Sequence, residues 1–134
     1  SWDSRRNIMA NPNIVAVTSI LGNTTYLTPP NTTANVLLSN AASSGDVLKI
    51  NQIVCANVDG SSAANCTVTV NSAAAGGGTA YPIVSTVSVP ADASLIVVDK
   101  TTAIYLMEDQ SIVVTSGTAS DLTFTISYEA ISSS

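Results

Sequence analysis

Leu122-Thr123-Phe124-Thr125-Ile126-Ser127-Tyr128 decides the fold, because its apolar and polar residues alternate without a break. Leu122, Phe124, Ile126 and Tyr128 point one way while Thr123, Thr125, Ser127 and Glu129 point the other, the period of two of a strand with one buried and one wet face. Three short apolar runs precede it: Leu95-Ile96-Val97-Val98-Asp99, Ala103-Ile104-Tyr105-Leu106-Met107 and Ser111-Ile112-Val113-Val114-Thr115. The last two flank an acidic corner at Glu108-Asp109. The final third of the chain therefore reads as consecutive strands.

Working outward from there, residues 81–89 form another strand, stopped by Pro90 and the Ala91-Asp92-Ala93-Ser94 turn. Residues 66–70 alternate with Cys66, Val68 and Val70 inward and Thr67 and Thr69 outward. Residues 47–58 make the longest strand-like run, and its alternation changes phase between Ile50 and Ile53. That phase change predicts a bulge at Asn51-Gln52 or burial on both faces. Asp59-Gly60 lies between these two runs, which together read as a hairpin. Ala73-Ala74-Ala75-Gly76-Gly77-Gly78 is a flexible small-residue loop, its glycines opposing helix. Nearer the start, residues 34–39 are a short strand, and Ile14, Val15, Val17 and Ile20 lead to a turn signal at Gly22-Asn23. Thr25-Tyr26-Leu27 then runs into Pro29-Pro30, which breaks any ladder. About eight strands separated by turn chemistry predict an all-β chain, an antiparallel β-sandwich of immunoglobulin-like or jelly-roll-like form. The sandwich occupies residues 14–132 as a single domain, and residues 1–13 form an extended N-terminal arm.

With 134 residues, 46% of them hydrophobic, the chain is long enough for one core without staples. Only 10% of residues are charged, against about 25% in an average soluble domain, so Ser, Thr and Asn keep the surface wet. Such a surface sets up little repulsion between neighbours and suits tight assembly or extracellular durability. A net charge of −5 with four basic residues argues against nucleic-acid binding. No apolar stretch approaches the roughly 20 residues of a membrane span, and the N-terminus lacks the apolar run of a secretory signal. A soluble chain that meets no membrane is expected, and Asn23, Asn31 and Asn65, each in a glycosylation sequon, are read as turn residues.

There is no histidine, which removes the usual general base, the Ser-His-Asp and Cys-His triads and the commonest zinc ligand. Asp46, Asp59, Asp92, Glu108, Asp109 and Asp121 fall at predicted turns, where such carboxylates stabilise the turn itself. Calcium at Glu108-Asp109 or Asp59 would need only oxygen ligands, but the regular spacing of a calcium loop is absent. Gly76-Gly77-Gly78 lacks the lysine and the following helix of a phosphate loop. An enzyme is not expected, nor a catalytic residue, metal or cofactor.

Cys55 and Cys66 flank the proposed hairpin symmetrically, so a disulfide across the ladder is within geometric reach. The competing reading, two buried thiols acting as small hydrophobes, fits synthesis in a reducing cytoplasm and is favoured. In the arm, Trp2, Arg5 and Arg6 offer one aromatic anchor and a basic pair for docking on a neighbour. A second reading stands beside it: Arg5-Arg6-Asn7-Ile8-Met9 is what a purine-rich ribosome-binding site spells when translated, which would make Met9 the initiator.

Ala80-Tyr81-Pro82-Ile83, residues 87–95 (Val-Ser-Val-Pro-Ala-Asp-Ala-Ser-Leu), residues 99–106 (Asp-Lys-Thr-Thr-Ala-Ile-Tyr-Leu) and Ser127-Tyr128-Glu129-Ala130-Ile131 together resemble a family of small virion structural proteins of tailed bacteriophages, cyanophages among them. Met107 and Ala130 stand where that family commonly has acidic residues. The resemblance spans residues 13–132 and implies a non-enzymatic β-sandwich carried on the virion and made in the host cytoplasm. Its expected role is a capsid decoration or cement protein on the major capsid protein shell, present in many copies or as a homo-oligomer, with Trp2, Arg5 and Arg6 anchoring the arm. A neck, tail or fibre-associated virion component is the neighbouring alternative. A carbohydrate-binding or adhesin module is the alternative of another class, with Trp2, Tyr26, Tyr81 and Tyr105 available for stacking on sugar rings.

Overall fold

A computed structural model describes residues 17–133 of the chain. The arm of residues 1–13, with Trp2, Arg5, Arg6 and Met9, lies outside the described residues. Nine strands follow in order: β1 Val17–Leu27, β2 Asn35–Asn40, β3 Asp46–Asn57, β4 Ala64–Asn71, β5 Ala80–Val89, β6 Ser94–Val98, β7 Ile104–Leu106, β8 Gln110–Ser116 and β9 Leu122–Ser133. They form two antiparallel sheets, a five-stranded one in the order β1-β9-β3-β6 with β7 also on β3, and a four-stranded one in the order β2-β8-β4-β5.

The pairing is nested. Ile20 faces Ile131, Val36 faces Val113, Ile53 faces Val98 and Asn71 faces Ala80, every pair centred on residues 74–77. The chain is thus one long hairpin wound on itself, so that successive strand pairs fall alternately in the two sheets. That is a jelly roll, and it resolves the choice between the two sandwich types.

The strand periodicity lands where the sequence places it. Leu122, Phe124 and Ile126 of β9 are fully buried, as are Cys66 and Val68 of β4, and Tyr128 and Val70 pack against the same core. Ile50, Ile53 and Cys55 of β3 meet Tyr128, Ile126 and Phe124 across the ladder. The expected bulge is present, since the β3–β9 register slips between Ile50 and Gln52.

Two expectations are corrected. Gly22-Asn23 is no turn: both lie inside β1, opposite Glu129 and Tyr128. The long β9 offers an unbroken ladder to that depth, and pairing along it outweighs a local turn preference. The runs around Cys55 and Cys66 are not a hairpin either, because β3 belongs to one sheet and β4 to the other. The neighbours along both edges of each strand come from the C-terminal half, which leaves β3 and β4 no free edge for one another. Residues 58–63 carry the chain across the edge of the sandwich.

Three asparagines hold strand ends of this kind, two at crossings between the sheets and Asn71 at the β4–β5 loop within one sheet. Asn40, Asn57 and Asn71 are the last residues of β2, β3 and β4, and all three are buried. The Asn40 amide donates to the carbonyls of Asp46 (2.9 Å) and Leu106 (3.1 Å), that of Asn57 to Ser62 (2.9 Å) and Val89 (3.0 Å), and that of Asn71 to Gly76 (3.0 Å). Each satisfies backbone acceptors that a corner would otherwise leave unpaired in the interior.

Candidate functional site

The two sheets present different outer faces. Over the β2-β8-β4-β5 sheet, residues 73–78 fold back as a single 3-10 turn at Ala74–Gly76. Three successive backbone N–H groups are captured there: Ala74 donates to the Asp109 carboxylate (3.0 Å), Ala75 to Ser39 Oγ (2.9 Å) and Gly76 to Ser111 Oγ (2.9 Å). Ser111 Oγ in turn donates to the Ala73 carbonyl at 2.8 Å. A side chain on Gly76 would stand 3.2 Å from Val36, and one on Gly78 would overlap Ser72 Oγ. Small residues are therefore what lets this loop lie on the sheet and cover Val113. With those N–H groups engaged, the glycine run offers no cradle for an anion.

The outer face of the other sheet has no such cover among the described residues. On β1 from Ser19 onward, odd-numbered residues share the face of Leu27, which packs on the core, so Ile20, Gly22, Thr24 and Tyr26 face out. Tyr105 is opposite Lys49, and Ile96 opposite Val54, on that same side. The side chains of Ile20 (57% exposed), Tyr26 (74%), Ile96 (58%) and Tyr105 (55%) stand in water. Lys49 and Glu129, ladder partners, are the charges among them. On this face, the missing side chain at Gly22 leaves a shallow depression of about 300 Å³ lined by Gly22, Asn23, Thr24, Asn51, Ser127, Tyr128 and Glu129. Thr24 and Ser127 share a hydroxyl hydrogen bond of 3.2 Å there.

The sequence names Tyr26 and Tyr105 as aromatics available for binding, but not Ile20 and Ile96. Those two read as ordinary strand residues because the face a strand residue takes depends on the register of its partner.

Several of the turn carboxylates are occupied. Glu108 accepts from Gly45 N–H at 2.6 Å, and Asp109 holds the Ala74 loop as described. Asp99 accepts from Thr101 Oγ1 (2.6 Å) and N–H (2.9 Å), which hold its carboxyl below the usual range. Asp59 is lowered likewise by Ser61 N–H (2.9 Å) and Oγ (3.0 Å). Asp121 is pushed up by desolvation and by the nearby charge of Asp59. Among the described residues no group of three or more cysteines and carboxylates could hold a metal ion.

Cys55 and Cys66 are free, fully buried thiols on opposite sheets. A hydrogen bond with Cys66, and then burial, push the Cys55 thiol far above the ordinary thiol range. Neither is placed for nucleophilic chemistry.

No family model matches the sequence, and no curated protein matches it. Among solved structures, the chain is similar to a subunit of the disulfide-linked pili of Bacillus endospore appendages, at 18% identity and a TM-score of 0.45, over 97% of this chain and 98% of that one. At this degree of overlap the likeness bears on neither the function nor the assembly of the present chain.

Proposed function

We propose that this chain is a non-enzymatic structural protein of a tailed-bacteriophage virion, a decoration or cement protein that binds the major capsid protein shell. The observation that carries the reading is the outer face of the β1-β9-β3-β6 sheet, uncovered among the described residues, where Ile20, Tyr26, Ile96 and Tyr105 stand exposed around the charges of Lys49 and Glu129. A shell protein works by covering surface between capsid subunits, and repetition over the particle makes a modest interface sufficient. A broad face with little charge to desolvate serves that purpose. The jelly roll adds rigidity, and the engaged turn carboxylates and buried thiols are consistent with a protein that performs no chemistry.

Co-sedimentation of the purified chain with undecorated capsids tests it. Saturable binding at a copy number matching the capsid lattice is expected, reduced by Ile96→Glu with Tyr105→Glu. A stoichiometry of a dozen or fewer per particle would instead favour a neck, tail or fibre location. No co-sedimentation would end the shell reading.

A second reading has one observation in its favour. Tyr26 and Tyr105 are exposed on the face that holds the polar depression at Gly22, Thr24 and Ser127, and exposed aromatics on a face with hydroxyls suit a glycan. Specific binding on a glycan array, lost in Tyr26→Ala, would promote this reading above the shell one.

A further inference from the structure

A jelly roll has four sheet edges, and an unprotected edge is a template for another strand. Three of the four are blunted here. β5 carries Pro82 and a bulge at Ser85-Thr86, where Thr86 adopts φ 49°. β2 has six residues and a register break at Leu37, and the Ala74–Gly76 turn is bonded to its Ser39. The β6–β7 edge is cut into five and three residues by a 3-10 turn at Lys100–Thr102, with Lys100 at the break.

β1 has none of these devices between Ser19 and Leu27, its one register irregularity lying before that, between Val17 and Ser19. It is 11 residues long, Val-Thr-Ser-Ile-Leu-Gly-Asn-Thr-Thr-Tyr-Leu, with no proline and no charge, and it runs in unbroken register from Ser19 to Leu27. Among the described residues its ladder partner is β9 alone. Its inward-facing Leu21, opposite Ala130, is left 62% exposed.

We infer that β1 is a pairing edge and that its occupant is β1 of a second copy of this chain, joined antiparallel about a two-fold axis near Leu21. An isologous contact sets a strand against itself, so any charge near the axis would meet its own like. The absence of charge along β1 meets that condition. With the axis at Leu21, the two Leu21 side chains stack as a cross-strand pair and Ile20 lies over the bare Gly22 of the partner. The two five-stranded sheets then become one continuous sheet. A copy of the chain also supplies the needed partner in the needed state, an unblunted uncharged strand, wherever the chain is present.

The full chain tests this by sedimentation equilibrium together with amide hydrogen exchange over residues 18–27 at several concentrations. A reversible dimer is expected, with exchange protection along β1 that rises with concentration. Leu21→Lys should weaken the dimer about tenfold or more, a cost of about 1.4 kcal/mol, without lowering the melting temperature of the monomer, since the side chain is exposed. A chain that stays monomeric overturns the inference. So does β1 protection that is the same at every concentration, which would mean the edge is covered within one chain, and so does a dimer indifferent to Leu21→Lys. No capsid enters the measurement, so the shell assignment and the paired edge stand or fall separately.

Discussion

Asn57 and Val89, 32 residues apart, are joined inside the sandwich by a 3.0 Å hydrogen bond from the asparagine amide to the valine carbonyl. The same amide donates to Ser62 at 2.9 Å, and Asn57 Oδ1 accepts from Asp59 N–H at 2.9 Å. One side chain thus ties the end of β3 to the crossing loop and to β5 in the opposite sheet.

Asn57→Ala should therefore destabilise the fold by about 2–4 kcal/mol, because it leaves buried carbonyls unsatisfied as well as removing the bonds. Asn57→Asp should cost at least as much, since its carboxylate would face two carbonyl oxygens. Urea denaturation at unchanged m-value measures both, and a loss below the noise would show that water replaces the amide.

The loop at residues 73–78 predicts two glycine effects of opposite sign. Gly78 has φ +70° and a side chain there would overlap Ser72 Oγ, so Gly78→Ala should destabilise by about 1–2 kcal/mol or more. Ala75 also sits in the left-handed region, at φ 57°. Ala75→Gly relieves that strain and should be neutral or stabilising by up to about 1 kcal/mol. Thermal unfolding of the two variants side by side checks the sign.

Phe124 is fully buried, between Leu27 and Cys55 on the ladder. Phe124→Ala should cost about 3–5 kcal/mol by denaturant unfolding, whereas Thr125→Ala, on the outer face, should cost a small fraction of that.

Acid should act on Asp99 and Asp121 in opposite senses. The Asp99 carboxyl is lowered by Thr101, so its contribution is present above its unfolded value and fades as pH falls through the lower folded one. Asp99→Asn should thus lower the melting temperature at pH 7, and the difference should close at strongly acid pH. Asp121 is raised beside Asp59, so its charged form is a liability in the folded state as pH rises through the folded value. Asp121→Asn should raise the melting temperature at pH 7 and leave it unchanged below the carboxylate range.

Cys55 and Cys66 should be silent to a thiol reagent such as Ellman's reagent in the native protein at neutral pH, because both are buried and Cys55 is held in its thiol form. Two equivalents should appear on denaturation. Rapid native reaction would contradict the packing around Phe124.

The sequence by itself determined which side of most strands is buried. Alternation follows from the pleat, a local property, so Leu122, Phe124 and Ile126 on β9, Cys66 and Val68 on β4, and even the phase slip at Asn51-Gln52 are legible residue by residue. Low charge and the absence of histidine likewise bound the chemistry from composition. The candidate surface was half legible: Tyr26 and Tyr105 stand out as aromatics in a chain that has few, whereas the exposure of Ile20 and Ile96 on the same face rests on their partners. Only the tertiary structure decided which strands are neighbours. Thr24 and Ser127 touch across 103 positions of sequence, and no local pattern marks such a pair. That is why β1 runs straight through Gly22-Asn23 and why Cys55 and Cys66 part into different sheets. Every strand could satisfy its turn propensities in several ways, but the nested winding about residues 74–77 gives β3 and β4 partners along both edges while closing both apolar faces on one core.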